Sequence, residues 1–149
     1  MEPKRALSCT IAGSSAEVRM PERAVVTGAS SGLGEEFARI HAARGGDLVL
    51  VARREDRLRD RAAELREAHG VKVEVVAMDL AVPGAAESLA EDLLKRGLEI
   101  EILINNAGFG GHGAFTDQDW ERSRDMIRLN VEALTALTRK LVPPMVERG

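Results

Sequence analysis

Gly28, Gly32 and Gly34 stand at i, i+4 and i+6 in the stretch Arg23-Ala24-Val25-Val26-Thr27-Gly28-Ala29-Ser30-Ser31-Gly32-Leu33-Gly34. A valine-rich run precedes them, and a helical spacing of Leu33, Phe37 and Ile40 follows. A strand that passes through a glycine turn into a helix is a device for holding phosphate. The N–H groups of the first helical turn have no partner within the helix, and the helix end carries partial positive charge. Each glycine has its own task in such a device. Gly28 permits the tight turn off the strand, Gly32 lets a pyrophosphate approach the backbone, and Gly34 lets the helix lie close to the sheet. Ser30 and Ser31 sit where a hydroxyl caps the helix or touches phosphate, and the two roles are compatible. Taken alone, the stretch also reads as a glycine-rich connection without a ligand.

The elements that must position these residues follow in order. Asp47 to Ala52 is a second apolar run, too continuous to alternate and so expected to be buried on both faces. A helix carrying Leu58, Ala62 and Leu65 inward ends at Gly70, and its other face is solvated charge. Val71 to Ala77 is the third strand, followed by Met78-Asp79-Leu80. Pro83 suits the first turn of a helix to about Arg96, with Ala86, Leu89 and Leu93 inward. Ile100 to Ile104 is the fourth strand, followed by Asn105-Asn106-Ala107-Gly108 and a glycine-rich loop over residues 109–116. One long helix then starts near Asp117 or Asp119, with Ile127, Val131, Leu134, Leu141 or Val142, and Met145 toward the core; Pro143-Pro144 should kink or end it. This alternation predicts an α/β fold with a parallel sheet, right-handed crossovers and helices on both faces.

The spacing Thr27-Gly28-x-x-x-Gly32-x-Gly34 departs from the Gly-x-Gly-x-x-Gly of the usual dinucleotide fingerprint. Together with Asn105-Asn106-Ala107-Gly108 after the fourth strand and Leu129-Asn130-Val131 on the last helix, it resembles the short-chain dehydrogenase/reductase family across residues 23–149. The resemblance implies a Rossmann-like doubly wound sheet in the order 3-2-1-4, stopping before a fifth strand, with the cofactor cleft between strands one and four. It implies cofactor contacts from Gly28, Ser30, Ser31, Gly32, Leu33 and Gly34, from Asp79-Leu80 beside the adenine, and from Asn106, Ala107 and Gly108. Asn130 matches the family's catalytic-tetrad asparagine, which helps hold a proton-relay water. Singly, Asp79 also reads as a turn residue, Asn106 as a partner for backbone donors and Asn130 as a polar helix position.

Cofactor choice is read at the end of the second strand. An NAD site wants an acid there for the ribose 2′-hydroxyl, and this chain has Ala52-Arg53-Arg54. Arg53 can pair with a 2′-phosphate through charge-assisted hydrogen bonds, so NADP(H) is favoured over NAD(H); the plain alternative for Arg53 is a solvent-facing charge. The same missing acid disfavours a methyltransferase reading. The family's reaction uses a Tyr-x-x-x-Lys pair and a serine beyond the Asn-bearing helix, and the chain contains no tyrosine. The expectation is the cofactor-binding N-terminal portion of an NADP(H)-dependent oxidoreductase acting on a small-molecule carbonyl or alcohol substrate, without hydride transfer by these residues alone. The alternatives are a non-catalytic nucleotide-binding module and an inert truncated fragment. An open edge on the fourth strand is expected to drive self-association or a homo-oligomer.

Composition bounds the remaining classes. A chain of 149 residues is one domain's worth, and 44% hydrophobic with 30% charged residues is globular in character. A formal charge of −3 gives no basic surface for nucleic acid, and no apolar run approaches a membrane span of about 20 residues. The single cysteine, Cys9, suits a reducing, cytoplasmic setting. Residues 1–22 read as a mobile tail too broken by polar residues for a signal peptide, with Met20 as an alternative start. His41, His69 and His112 lack metal-ligand spacing, so no metal is assigned; the first two read as helix-surface residues and the third as a loop residue. Phe109 and Phe115 bracket the loop as pocket lining or anchors, and Trp120 is expected to pack its helix.

Overall fold

The computed structural model describes residues 22–149. Cys9, the alternative start at Met20 and the expected tail, save Glu22, lie outside the described residues. Strand and helix alternate as β1 (Arg23–Thr27), α1 (Gly32–Ala43), β2 (Asp47–Ala52), α2 (Glu55–His69), β3 (Val73–Ala77), α3 (Ala85–Lys95) and β4 (Ile102–Ile104), then α4 (Trp120–Ile127) and α5 (Leu134–Arg148). The strands form one parallel sheet in the order β3-β2-β1-β4. This is the expected Rossmann-like order, with β1 between β2 and β4 at the point where the winding reverses.

Both sheet faces are covered, which is why β1 and β2 are apolar at successive positions rather than alternate ones. Ala24, Val26, Leu48 and Leu50 face Ala38 and Ala42 of α1 and Leu58, Ala62 and Leu65 of α2. Val25, Val49 and Val51 face Leu89 and Leu93 of α3 and Leu137 and Leu141 of α5. Each such leucine or valine, wholly removed from water, contributes about 1.5–3 kcal/mol. Asp47, at the start of β2, is a polar exception, as is Thr27 at the end of β1. The Asp47 carboxylate is buried and accepts from Arg23 Nη2 at 3.3 Å and from the Lys72 N–H at 2.9 Å. It thus ties the entry of β1 to the chain approaching β3.

Three expectations about packing are corrected, all in the later helices. In α1, whose facing the helical spacing left open, the inward residues are Gly34, Ala38 and Ala42, while Leu33, Phe37 and Ile40 lie on the exposed side. Small side chains win the sheet face because they let the helix approach closely. The last helical stretch is not one continuous α-helix. Its backbone widens to π-helical bonding over Arg128–Ala133, between α4 and α5. A constant period from Ile127 loses phase across that widened turn. Ala133, Leu137 and Leu141 face inward, Ile127, Val131 and Leu134 face solvent, and Met145 packs at the margin of the core. Pro143 and Pro144 do not end α5, which runs on to Arg148. The carbonyls they deprive of donors belong to Arg139 and Lys140, whose exposed positions leave water as partner. Pro83 precedes Gly84, the N-cap of α3, and so lies outside the first turn.

Three smaller departures concern side chains. His41 is half-buried rather than on the surface: its ring covers Gly46, and Nε2 lies 2.9 Å from the Glu22 carbonyl. Trp120 is exposed instead of packing its helix. β3 and β4 are each two residues shorter at their starts than expected. Among the described residues no helix is long and apolar enough to cross a membrane.

Candidate functional site

The carboxyl ends of β1, β2 and β4 open into one groove of about 360 Å³. Its floor is set by Thr27, the last residue of β1. The Thr27 hydroxyl is buried; it donates to the Ile104 carbonyl at 3.3 Å and accepts the N–H groups of Asn106 and Ala107, each at 3.0 Å. The Asn106 side chain returns the link, donating from Nδ2 to the carbonyls of Thr27 at 3.0 Å and Gly28 at 3.4 Å. The side chain of Asn106 thus serves backbone acceptors across the sheet. The turn after β1 and the turn after β4 are thereby one hydrogen-bonded unit.

Space around that unit explains the glycines. A Cβ on Gly34 would stand 2.3 Å from the Gly28 carbonyl oxygen and 2.5 Å from Asn106 Nδ2. Gly28 has φ +69°, and a Cβ there would meet Asn106 Nδ2 at 2.8 Å and Ala107 Cα at 2.9 Å. Gly32 differs: its φ is +61°, but a Cβ would meet nothing within 4 Å. Gly28 and Gly34 therefore close the packing of α1 on the strand ends, whereas Gly32 keeps open space beside the backbone. Ser31 is the N-cap residue of α1 but its side chain makes no capping bond, so the first-turn N–H groups remain available to an anion.

The groove brings together Gly28, Ser30, Ser31, Leu33, Arg53, Asp79, Leu80, Asn106, Ala107 and Gly108. Gly32 and Gly34 are not part of this lining. Asp79 serves its own turn, Oδ1 accepting from the Ala81 N–H at 3.0 Å, while Oδ2 lies 3.9 Å from Arg53 Nη1. Val51, Ala52, Met78 and Leu80 give the groove an apolar side suited to a planar ring. Asn130 does not line it. It lies within the π-helical turn and clamps the Phe109 backbone in both directions, accepting the N–H at 3.2 Å and donating to the carbonyl at 2.8 Å. Widened turns of this kind are frequent at functional sites. Phe109 joins the lining, with the Arg122 guanidinium 5.2 Å from its ring centroid, whereas Phe115 is exposed. The side of the groove at Arg53, Asp79 and Phe109 adjoins a more polar recess of about 400 Å³ that also contains Asp119, Arg122 and Asp125. Asp119 caps α4, accepting from the Arg122 N–H at 2.9 Å. The Glu36 carboxyl, held below its usual range by a hydrogen bond from Arg39, lies outside the groove lining.

Sequence reasoning passed over Thr27 as a site residue and over Arg54, which lines the groove and donates to Ser30 and Ser31. The only signal for Arg54 was its place beside Arg53. As a cradle the groove suits a dinucleotide: an anion-binding helix start, an apolar slot, hydroxyl donors and two arginines converge at one sheet end. Building a Cβ at Gly28 or Gly34 would distort that cradle.

Residues 22–149 match the short chain dehydrogenase family. The chain is 40% identical over 129 residues to the rat protein Dehydrogenase/reductase SDR family member 7B, an alignment covering 83% of this chain and 40% of that one. It resembles the L-sorbose reductase of Gluconobacter frateurii, solved with NADPH and L-sorbose, at a TM-score of 0.80 and 39% identity over 87% of this chain and 49% of that one. A short-chain dehydrogenase from Sphingobium yanoikuyae, solved with NADPH, gives a TM-score of 0.79 and 42% identity over 85% of this chain and 49% of that one. The chain thus spans about two fifths of that curated relative and about half of these solved chains.

Proposed function

Because this chain belongs to the short-chain dehydrogenase family, we propose that it is the cofactor-binding portion of an NADP(H)-dependent oxidoreductase acting on carbonyl or alcohol substrates. The observation that carries this reading is the groove itself, in which the glycine turn, the arginines after β2, Asp79-Leu80 and Asn106-Ala107-Gly108 meet at the switch point of the sheet. The bound cofactor would supply the hydride or accept it. The residues of the chain bind and orient it. The first-turn N–H groups of α1 and the hydroxyls of Ser30 and Ser31 face the pyrophosphate side. Leu80, Val51 and Met78 offer the adenine an apolar surface, with Asp79 at its edge, and Arg53 stands where a 2′-phosphate would be read. Asn130 fixes the backbone at Phe109 and so sets one wall of the nicotinamide end. The NADPH complexes of the Gluconobacter and Sphingobium enzymes support the choice of cofactor.

The family's acid/base is the tyrosine of a Tyr-x-x-x-Lys pair, and these 149 residues contain no tyrosine. Proton delivery therefore needs groups that the chain does not supply, and turnover by the chain alone is not expected. That composition also favours a second reading, a nucleotide-binding module without catalysis. Self-association is part of the proposal, since β4 offers one unpaired edge of the sheet. The test is calorimetry of the purified chain with NADP+ and NAD+, absorbance assays with NADPH and a panel of aldehydes and ketones, and light scattering across concentration. Binding of NADP+ in preference to NAD+ without turnover supports the reading. Absence of binding to either refutes the cofactor assignment, clear turnover refutes the catalytic one, and a monomer at all concentrations refutes self-association.

A further inference from the structure

The arginines of the helical stretch after the glycine-rich loop are not used alike. Arg124 pairs with Glu121, and Arg128 Nη1 lies 3.2 Å from Asp125 Oδ1, each with an acid of its own stretch. Among the described residues Arg122 has no carboxylate within ion-pairing distance and reaches to the loop instead. Its guanidinium stands over the Phe109 ring, 5.2 Å from the centroid, and Nη2 donates to the Gly110 carbonyl at 3.3 Å. The reach starts from a fixed base, because the Arg122 N–H is bonded at 2.9 Å to Asp119 Oδ2, the cap of α4. The loop it grips has little stiffness of its own. Gly108, Gly110, Gly111 and Gly113 leave its backbone wide freedom, and Phe109 is its only large apolar side chain. Asn130 holds the Phe109 main chain, through the N–H and the carbonyl, but not the ring. Phe109 lines both the groove and the polar recess beside it, where Asp119, Glu121 and Asp125 stand. The ring is thus a partition between an apolar slot and a charged one, and Arg122 is what holds it from the recess side.

We infer that Arg122 is a positioning residue for the dinucleotide: latched to the Phe109 ring and the Gly110 carbonyl, it keeps Phe109 standing as a wall of the groove. The inference rests on the reading of the groove as a dinucleotide site. Arg122 acts through Phe109 and reads no phosphate itself. Its contribution therefore falls equally on a nucleotide with a 2′-phosphate and on one with a 2′-hydroxyl. A loop ordered before the nucleotide arrives also spares the complex the cost of ordering it on binding.

The experiment is calorimetry of the full chain and its R122Q, R122K, F109L and R122Q/F109L variants, each with NADP+ and with NAD+. Arg122 is exposed, so its replacement leaves the core intact, and circular dichroism checks this for every variant. R122Q is expected to weaken both nucleotides by about three- to tenfold, with their ratio unchanged. R122K should recover part of the loss, since an ammonium still sits over the ring but lacks the planar fork. F109L keeps an apolar wall and removes the ring face, so adding R122Q to it should cost clearly less than R122Q costs in the parent. Hydrogen exchange at the Phe109 amide should quicken in R122Q without nucleotide present. The inference is overturned if R122Q leaves both affinities unchanged or weakens NADP+ alone, which would make Arg122 a phosphate contact. Full additivity of R122Q and F109L overturns it too, because Arg122 would then not act through the ring. If the parent chain binds nucleotide and any of these results appears, the inference falls alone. If the parent binds neither nucleotide, the dinucleotide reading falls and takes the inference with it.

Discussion

Alanine at Gly34 adds a single methyl group, yet the structure assigns it a large penalty. The new Cβ would lie 2.3 Å from the Gly28 carbonyl oxygen, and ordinary contact begins near 3.4 Å, so helix and turn must separate by about 1 Å. Neither is a flexible side chain. The carbonyl belongs to the turn that accepts from Asn106 Nδ2, and that amide would itself stand 2.5 Å from the same methyl. Overpacking of this kind costs about 1–3 kcal/mol. Displacing Asn106 also weakens its bonds to the Thr27 and Gly28 carbonyls, at about 0.5–1.5 kcal/mol each. The expected loss in Gly34→Ala is about 3 kcal/mol. With a urea slope of about 1–3 kcal/mol per molar, the unfolding midpoint falls by at least about 1 M. Gly32→Ala is the control. Its methyl meets nothing, so only the left-handed backbone is penalised, at about 1–2 kcal/mol. Its larger effect should fall on nucleotide affinity. Urea unfolding followed by circular dichroism, with calorimetry on both variants, separates the two. Equal midpoints for Gly34→Ala and the parent would refute the close-approach argument.

Thr27→Val keeps shape but strands the N–H groups of Asn106 and Ala107 without their acceptor. A stability loss of about 2–4 kcal/mol is expected in urea unfolding, with Thr27→Ser restoring most of it, and a neutral valine would show that the hydroxyl is not the hub it appears in the geometry. Asn130→Ala releases the Phe109 backbone at both its N–H and its carbonyl. Hydrogen exchange at the Phe109 amide should quicken by roughly 5- to 30-fold, with a smaller fall in the global midpoint than in Thr27→Val. Unchanged exchange would mean that other contacts hold the loop.

The fold was largely legible because its informative signals are local. β1 and β2 announce themselves as unbroken apolar runs, and α2 and α3 carry leucines at helical spacing that point inward as written. The facing of α1 was not legible because its inward residues are Gly34, Ala38 and Ala42, which carry little hydrophobic weight, while Leu33, Phe37 and Ile40 mark the helical period from the other side. The phase of α5 was lost because a π-helical turn is a change in backbone bonding with no residue type of its own. At the site, the glycines could be placed from their spacing and Asn106 from the family resemblance. The partnerships of Arg54 with Ser30 and Ser31, and of Thr27 with the turn after β4, join residues far apart in sequence, and only the sheet order brings them into reach.

The seating of α1 on glycine and alanine has a consequence for anyone mapping this molecule by mutagenesis. An alanine scan measures what is lost when a side chain is cut back. At Ala29, Ala38, Ala42 and Ala107 there is nothing to cut, so the residues that set the spacing between helix, sheet and groove would go unreported. Such a scan would instead credit the tall residues of the outer layers and draw a misleading picture of where the architecture is constrained. Enlarging rather than truncating, with serine, valine or leucine in turn at these positions, would trace the hidden spacing and show how much thickness each layer tolerates before the strand ends part.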